Sequence, residues 1–181
     1  MALIDQLRED LAVHGGKWGR PGFQAVALYR IGSWGRRQRF TLRLIVRLLH
    51  KILYPIVRNL YGIEIPLSVK LGRRVKISHQ SGIVINGGAV IGDGCHLRHN
   101  VTIGSLGSVV SADRQGAPTI EPDVYIGVGA AIIGRVTVGS RARIGANATV
   151  VTDIPPDSTV VPSPSKVLLR SQEGVGIRAD D

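Results

Sequence analysis

A six-residue spacing of branched aliphatic residues constrains the fold of this chain more than any other feature. The helical period and the strand period both fail to account for it. A hexapeptide period is typical of a parallel β-helix, in which each such residue points inward and stacks on the one a coil away. We call these positions the anchors. They are Ile65, Leu71, Ile77, Ile85, Ile91, Leu97, Ile103, Ile120, Ile126, Ile132, Val138, Ile144 and Val150.

Small or β-branched residues fall four places after most anchors, where a tight coil turns. These are Ala89, Cys95, Val101, Val124, Ala130, Val136, Ala142 and Ala148. A coil packed in this way needs few large rings, which agrees with an aromatic content of 4% and 23 glycines. The single cysteine excludes a disulfide framework and a multi-cysteine zinc site. Its place in this set predicts a buried, unreactive thiol.

The charge of the chain is concentrated at one end. Residues 1–76 hold 15 Lys and Arg against 4 Asp and Glu, a net of +11, whereas residues 77–181 hold 8 against 9, a net of −1. We predict a basic α-helical domain over 1–62, the β-helix over 63–162 and a tail over 163–181. No RNP, zinc-finger or recognition-helix pattern is present, so we do not expect a nucleic-acid partner.

The N-terminal part contains a strongly amphipathic segment. Its basic stripe consists of Arg39, Arg43, Arg47 and Lys51, and its apolar face of Leu42, Ile45, Val46, Leu49, Ile52, Leu53 and Ile56. Pro55 is expected to kink or end this helix. The basic stripe is either solvated or lies against an anionic membrane. Without a signal peptide or a long apolar run, we expect a cytoplasmic protein that touches the inner face of the membrane at most peripherally.

Two interruptions of the six-residue spacing point to a functional face. Residues 105–118 separate two anchors and are predicted to protrude as a loop. The other interruption, between Ile77 and Ile85, adds two residues around His79. His79 and His99 each lie two places after an anchor, so we predict that they stack one coil apart, about 5 Å from each other. By the same count, His96 is predicted to be a surface residue.

A histidine pair of this kind is suited to general base catalysis. A neutral imidazole can take the proton of a hydroxyl group as its oxygen attacks a carbonyl carbon. A carboxylate can hold the required tautomer and stabilise the imidazolium. Glu64, fifteen residues before His79, is the candidate for that carboxylate. His99 is either a second catalytic residue or a support for its neighbour.

Several segments resemble the serine acetyltransferase group of hexapeptide-repeat acyltransferases. They are PGFQAVALYRIGSW near the N-terminus, and IEIP, ISHQSGIVINGGAVIG, IGVGAAIIG and IGANATVV in the coil. The resemblance implies a left-handed parallel β-helix, acetyl-CoA as co-substrate and no metal. It places His79 on the catalytic histidine of the group and Glu64 on the acid that pairs with it.

The same resemblance implies further binding residues. CoA is expected to pack along Val128, Gly145 and Ala146, near the neighbouring chain of a homotrimer that could pair into a dimer of trimers. Arg143 and Lys166 match basic positions of the group and are expected to contact the CoA phosphates. Ser78, Asp113 and Arg114 are expected at the acceptor, and backbone amides or the loop that carries Asp113 and Arg114 are expected to stabilise the oxyanion.

The chain also departs from the group in ways that leave the acceptor open. Ser78 replaces an acid before the catalytic histidine, and Gln115 stands where the group has a second histidine. Overall similarity favours L-serine, whereas these departures favour a sugar hydroxyl in exopolysaccharide biosynthesis. The sequence leaves two further functions open. One is a metal-dependent β-helix hydratase, which needs three converging histidines, and the other is a non-catalytic scaffold.

Overall fold

The computed structural model describes residues 2–106 and 116–164. The predicted tail lies almost wholly outside the described residues, and so does most of the predicted loop over 105–118. Asp113, Arg114 and Lys166, three of the predicted binding residues, also lie outside them.

Three helices open the chain: α1 (Leu3–Val13), α2 (Pro21–Gly35) and α3 (Phe40–Tyr61). Pro21 occupies the first turn of α2, where a missing N–H costs nothing. Gly62 ends α3 in the left-handed conformation, with a φ of +61°. Helix α3 continues through Pro55 to Tyr61, so of the two alternatives expected at Pro55, a kink or a helix end, the helix end is wrong. None of the described helices is long and apolar enough to cross a bilayer.

Short parallel strands follow the helices, one for each side of each coil. In the described residues they are β1 (Ile63–Glu64), β2 (Lys70–Leu71), β3 (Lys76–Ile77), β4 (Ile83–Ile85), β5 (Val90–Ile91), β6 (His96–Leu97), β7 (Thr102–Gly104), β8 (Thr119–Ile120), β9 (Tyr125–Ile126), β10 (Ala131–Ile133), β11 (Thr137–Val138), β12 (Arg143–Ile144), β13 (Thr149–Val150) and β14 (Thr159–Val160).

Three parallel sheets form the sides of the coil. Their strand orders are β1-β4-β7-β10-β13, β2-β5-β8-β11 and β3-β6-β9-β12-β14. Each strand thus pairs with the third strand after it, except that β12 pairs with β14. Cα partners join anchor to anchor, as in the row Ile77, Leu97, Ile126 and Ile144. All anchors are buried except Leu71, which is half-buried. The parallel β-helix predicted from the six-residue spacing is confirmed.

The corner residues pack as predicted. All of the small and β-branched residues four places after an anchor are buried, Cys95 among them. The Cys95 thiol donates to the Glu121 carbonyl at 3.1 Å, and burial raises the pKa of the thiol to about 11. The prediction of an unreactive cysteine is therefore confirmed, because the thiol stays protonated near neutral pH.

Side chains of α2 cover the open edge of the first coil at β2. The Tyr29 hydroxyl donates to the Val69 carbonyl at 2.6 Å and accepts from the Leu71 N–H at 3.4 Å. The Arg30 guanidinium donates to the Leu71 carbonyl at 2.9 Å and to the Gly72 carbonyl. Backbone groups that would be left unpaired at an edge strand are thus satisfied by a helix.

His14, the residue that follows α1, covers the neighbouring edge at β3. The Ile77 N–H donates to His14 Nε2 at 3.1 Å, while His14 Nδ1 lies 2.6 Å from the Asp10 carbonyl. This arrangement requires a neutral imidazole with its proton on Nδ1. Asp10 and Arg30 also form an ion pair of 2.8 Å with both side chains buried, which joins α1 to α2.

Helix α3 packs in a way the sequence did not predict. Its buried residue is Val46, which lies against Gly35 of α2, and the half-buried His50 lies against Gly32. Of the predicted apolar face only Val46 is buried, and the other members are exposed. Only the edge of α3 that carries Val46 and His50 contacts the glycines of α2, so the rest of the apolar face stays exposed.

The first prediction concerns Gly22, where α2 rests on the coil. A Cβ atom here would collide with the Ile77 carbonyl oxygen. Gly22→Ala should therefore lower the free energy of unfolding by about 1–3 kcal/mol, although alanine by itself favours a helix. Gly19→Ala is the control, since no atom lies within 4 Å of a Cβ at that position. Denaturant unfolding measures both variants, and equal stability of Gly22→Ala and the wild type would contradict the packing.

The second prediction concerns the pH dependence of stability. Burial lowers the pKa of His14 below its ordinary 6.5, so the unfolded chain binds a proton that the folded chain does not. Stability should fall as the pH drops below about 6.5. The pKa values of His50 and His96 are also lowered by burial and add to the same slope.

His14→Gln separates these contributions, because an amide oxygen can still accept from the Ile77 N–H. The slope of unfolding free energy against pH should decrease in this variant by up to about 1.4 kcal/mol per pH unit, the value for one proton. An unchanged slope between pH 7 and pH 5 would show that His14 is not neutral in the folded protein.

Candidate active site

The corner between β3 and β4 holds the two extra residues. The Asn100 N–H donates to the Ser81 carbonyl at 2.9 Å, just as the Gly129 N–H donates to the His99 carbonyl at 3.1 Å one coil further on. Ser81 therefore takes the backbone position that corresponds to His99. The expectation that His79 and His99 occupy equivalent positions is wrong, because His79 belongs to the insertion itself.

The two imidazoles nevertheless meet. The ring centroids of His79 and His99 are 5.5 Å apart and the ring planes cross at 84°, an edge-to-face contact. The predicted contact between neighbouring coils is confirmed. Among the described residues, Nδ1 of His99 is buried without a hydrogen-bond partner, which is costly unless a bound group or the neighbouring imidazole uses it.

Backbone strain marks this corner. His79 and Ser81 adopt left-handed conformations with φ of +70° and +87°, and glycine is required at 82 because a Cβ there would collide with Asn100. The Ser81 N–H donates to the Tyr61 carbonyl at 2.7 Å, which ties the corner to the end of α3. Strained positions of this kind are held by their surroundings and occur often at functional sites.

A cleft opens beside His79. It has a volume of about 450 Å³ and is lined by Arg20, Pro21 and Gly22 at the start of α2 and by residues 77–80 of the insertion corner. Arg20 forms no ion pair with any described carboxylate. The cleft thus combines a potential base with the permanent positive charge of a guanidinium. The sequence did not single out Arg20, since only the docking of α2 brings it to this corner.

Glu64 lies in β1, next to Val84 of β4. Its side chain is half-buried, and its charge is the second cause, after burial, that raises the pKa of Tyr54. Within the described residues no hydrogen bond or ion pair joins Glu64 to His79. The pairing of these two residues therefore stays a prediction.

Ser78 and His96 form a second polar pair close by. The Ser78 hydroxyl lies 2.6 Å from His96 Nε2, and the His96 ring stacks edge-on against Tyr125 at 5.2 Å. Burial and, after it, the charges of Lys76 and Arg98 together lower the pKa of His96 to about 4. The expectation of a plain surface histidine is wrong, since His96 is half-buried, neutral and bonded.

The described residues contain no group of three or more His, Cys, Asp or Glu side chains that could hold a metal ion. His96 is bonded to Ser78, whereas His79 and His99 contact each other. A metal-dependent hydratase would require three histidines that converge on one point, and these three do not.

The residues expected along CoA form a column above His99. The Asn147 N–H donates to the Val128 carbonyl at 2.7 Å, which stacks Ala146 over Val128 in the register of His99. Val128 is half-buried and Ala146 is exposed. Arg143 is exposed on the adjacent sheet, with its guanidinium carbon 5.0 Å from the centre of the Tyr125 ring.

Glycine is required at the top of this column. A Cβ on Gly145 would lie 2.7 Å from the Val160 carbonyl oxygen, so a side chain there would force the last coils apart. The column and the histidine corner are continuous along one edge of the coil.

Comparisons with known proteins agree with this architecture. Residues 117–152 match the bacterial transferase hexapeptide family (six repeats). A serine acetyltransferase of Helicobacter pylori is 34% identical over 170 residues, which cover 92% of this chain and 94% of that protein. One from Synechococcus elongatus is 39% identical over 160 residues. That match covers 88% of this chain but only 60% of the Synechococcus protein.

Solved structures give the same picture. Soybean serine acetyltransferase complexed with serine superposes with a TM-score of 0.75 at 27% identity, over 92% of this chain and 69% of that one. The helices, the left-handed parallel β-helix and the sequence similarity extend together over nearly the whole chain. It belongs to the serine acetyltransferase family of hexapeptide-repeat acyltransferases.

Proposed function

We propose that this protein transfers the acetyl group of acetyl-CoA to the hydroxyl group of L-serine. The observation that carries the proposal is the contact of His79 with His99 at a strained corner that opens on a cleft lined by Arg20. Membership of the family supports the choice of reaction. The relatives named above are serine acetyltransferases, and they do not favour a sugar hydroxyl as acceptor.

His79 acts as the general base in this mechanism. Its neutral imidazole takes the hydroxyl proton while the serine oxygen attacks the thioester carbonyl carbon. The tetrahedral intermediate collapses, the carbon–sulfur bond breaks and the CoA thiolate leaves. The imidazolium returns the proton to the sulfur, so the base is regenerated and O-acetylserine is released. His99 supports the His79 ring through its edge-to-face contact, and Glu64 stabilises the imidazolium by its charge.

Arg20 is proposed to bind the carboxylate of the acceptor. It is the cationic residue of the cleft beside His79. A guanidinium matches a carboxylate in shape and charge, so it would orient serine with its hydroxyl group toward the imidazole. Ser78 is proposed to contribute to acceptor binding through its hydroxyl group, which is hydrogen-bonded to His96. Asp113 and Arg114 are proposed to contact the acceptor or to stabilise the oxyanion.

The CoA chain is proposed to lie along Val128, Gly145 and Ala146, with Arg143 and Lys166 near its phosphates. An exposed Ala146 and an exposed Arg143 leave this column open to a neighbouring copy. We therefore also propose a homotrimer in which the neighbour completes the CoA groove. Sedimentation at three times the chain mass of 19.4 kDa is the expected result, and a monomeric mass would contradict it.

The third prediction tests His79. His79→Ala should lower CoA release in the presence of L-serine by at least about 100-fold, the lower range for loss of a general base. CoA binding measured by calorimetry should be retained, because the proposed CoA column does not include His79. Lys70→Ala is the control, since Lys70 is exposed in β2 and does not line the cleft; its rate should stay close to that of the wild type.

Wild-type turnover in His79→Ala would overturn the mechanism. Faster acetylation of a monosaccharide panel than of L-serine by the wild type would instead overturn the acceptor and leave the mechanism standing. The two results are therefore distinguishable in one CoA-release assay.

The fourth prediction tests Arg20. Arg20→Gln should raise the KM for L-serine by about 10-fold or more, as expected for loss of a hydrogen bond between charged groups. The KM for acetyl-CoA should not change. Ethanolamine, which has the hydroxyl and amino groups but no carboxylate, is the control acceptor. Its kinetics should be equal in the wild type and the variant, and an equal loss with both acceptors would show that Arg20 does not bind the carboxylate.

A further inference from the structure

Helix α3 presents an uncovered apolar row on the outside of the protein. The row follows three- and four-residue steps, so its members lie on one side of the helix. Their exposed fractions run from 41% to 67%, and no described residue covers them. The row consists of Leu42, Ile45, Leu49, Ile52, Ile56 and Leu60. A contiguous aliphatic surface of this size is unusual on a protein that contacts only water.

The docking of α3 fixes the direction in which this row faces. Val46 and His50 lie against Gly35 and Gly32 of α2, with so little space that a Cβ on either glycine would collide with them. Tyr61 is half-buried against the core at the other end. The helix cannot rotate the row inward without losing these contacts, so the row stays on the surface.

The charge of α3 indicates what covers the row. Arg43, Arg47, Lys51 and Arg58 are exposed, and residues 39–61 contain no Asp or Glu. Arg43, Arg47 and Lys51 follow one another at four-residue steps on the side of the helix away from the apolar row. An apolar face backed by a cationic polar face, over a length of 22 residues, is typical of helices that lie in a membrane interface.

We propose that α3 docks this protein on an anionic membrane surface, with the apolar row inserted among the acyl chains and its cations near the headgroups. A second copy of α3 would complement the aliphatic side chains but would bring two wholly cationic helices together. An anionic bilayer complements both features. This inference does not depend on the acetyl transfer proposed above.

Co-sedimentation with vesicles is the fifth prediction and the test. The full-length wild type should pellet with vesicles that contain phosphatidylglycerol, more weakly with pure phosphatidylcholine, and less as the salt concentration rises. Ile52→Glu should weaken partitioning to the anionic vesicles by about 10-fold or more, because it removes an aliphatic side chain from the inserted row and adds a negative charge.

Val151→Glu is the matched control. Val151 is also an exposed aliphatic residue, on the β-helix, and the substitution changes the net charge equally. It should weaken binding much less than Ile52→Glu. Circular dichroism checks that both variants are folded. Equal losses in the two variants would overturn insertion through α3, and so would a wild type that does not bind anionic vesicles. If the wild type does not bind vesicles but has a larger mass by sedimentation than Ile52→Glu, the membrane proposal is overturned and the apolar row contacts a second copy of the chain.

Discussion

The open edge of the first coil is the constraint on which the rest of the structure depends. A parallel β-helix ends in unpaired backbone groups, and such edges recruit other chains unless they are covered. Tyr29, Arg30 and His14 cover this edge with hydrogen bonds to β2 and β3. The helices are therefore part of the coil's hydrogen bonding, and the position of α2 is fixed to within a van der Waals contact at Gly22.

The candidate site follows from that docking. Because Gly22 rests on Ile77, the preceding Arg20 lies beside the insertion corner that carries His79. The insertion lifts His79 out of the regular ladder while the coil above holds His99 in register. The regular coil and its one insertion thus bring His79, His99 and Arg20 to the same edge of the β-helix. This edge continues along Val128 and Ala146.

The sequence predicted what depends on the repeat and missed what depends on docking. The anchors, the buried Cys95 and the contact of His79 with His99 could be predicted, because six-residue spacing determines which side chains point inward or share a corner. The register of His79 could not, since spacing alone does not say which residues of an insertion leave the ladder. Arg20, the bonded His96 and the exposed face of α3 arise from contacts between distant segments, which no local pattern encodes.

The central claim is that the acceptor binds at the corner that carries His79 and His99. NMR of the histidine ring resonances tests this claim most directly. The chain has five histidines, of which His50 lies between α3 and α2, against Gly32, and does not line the cleft. Titration of the isotope-labelled protein with L-serine in the presence of CoA should shift the ring resonances of His79 and His99 saturably and leave those of His50 unchanged. Unmoved His79 and His99 resonances at saturating serine would contradict the account.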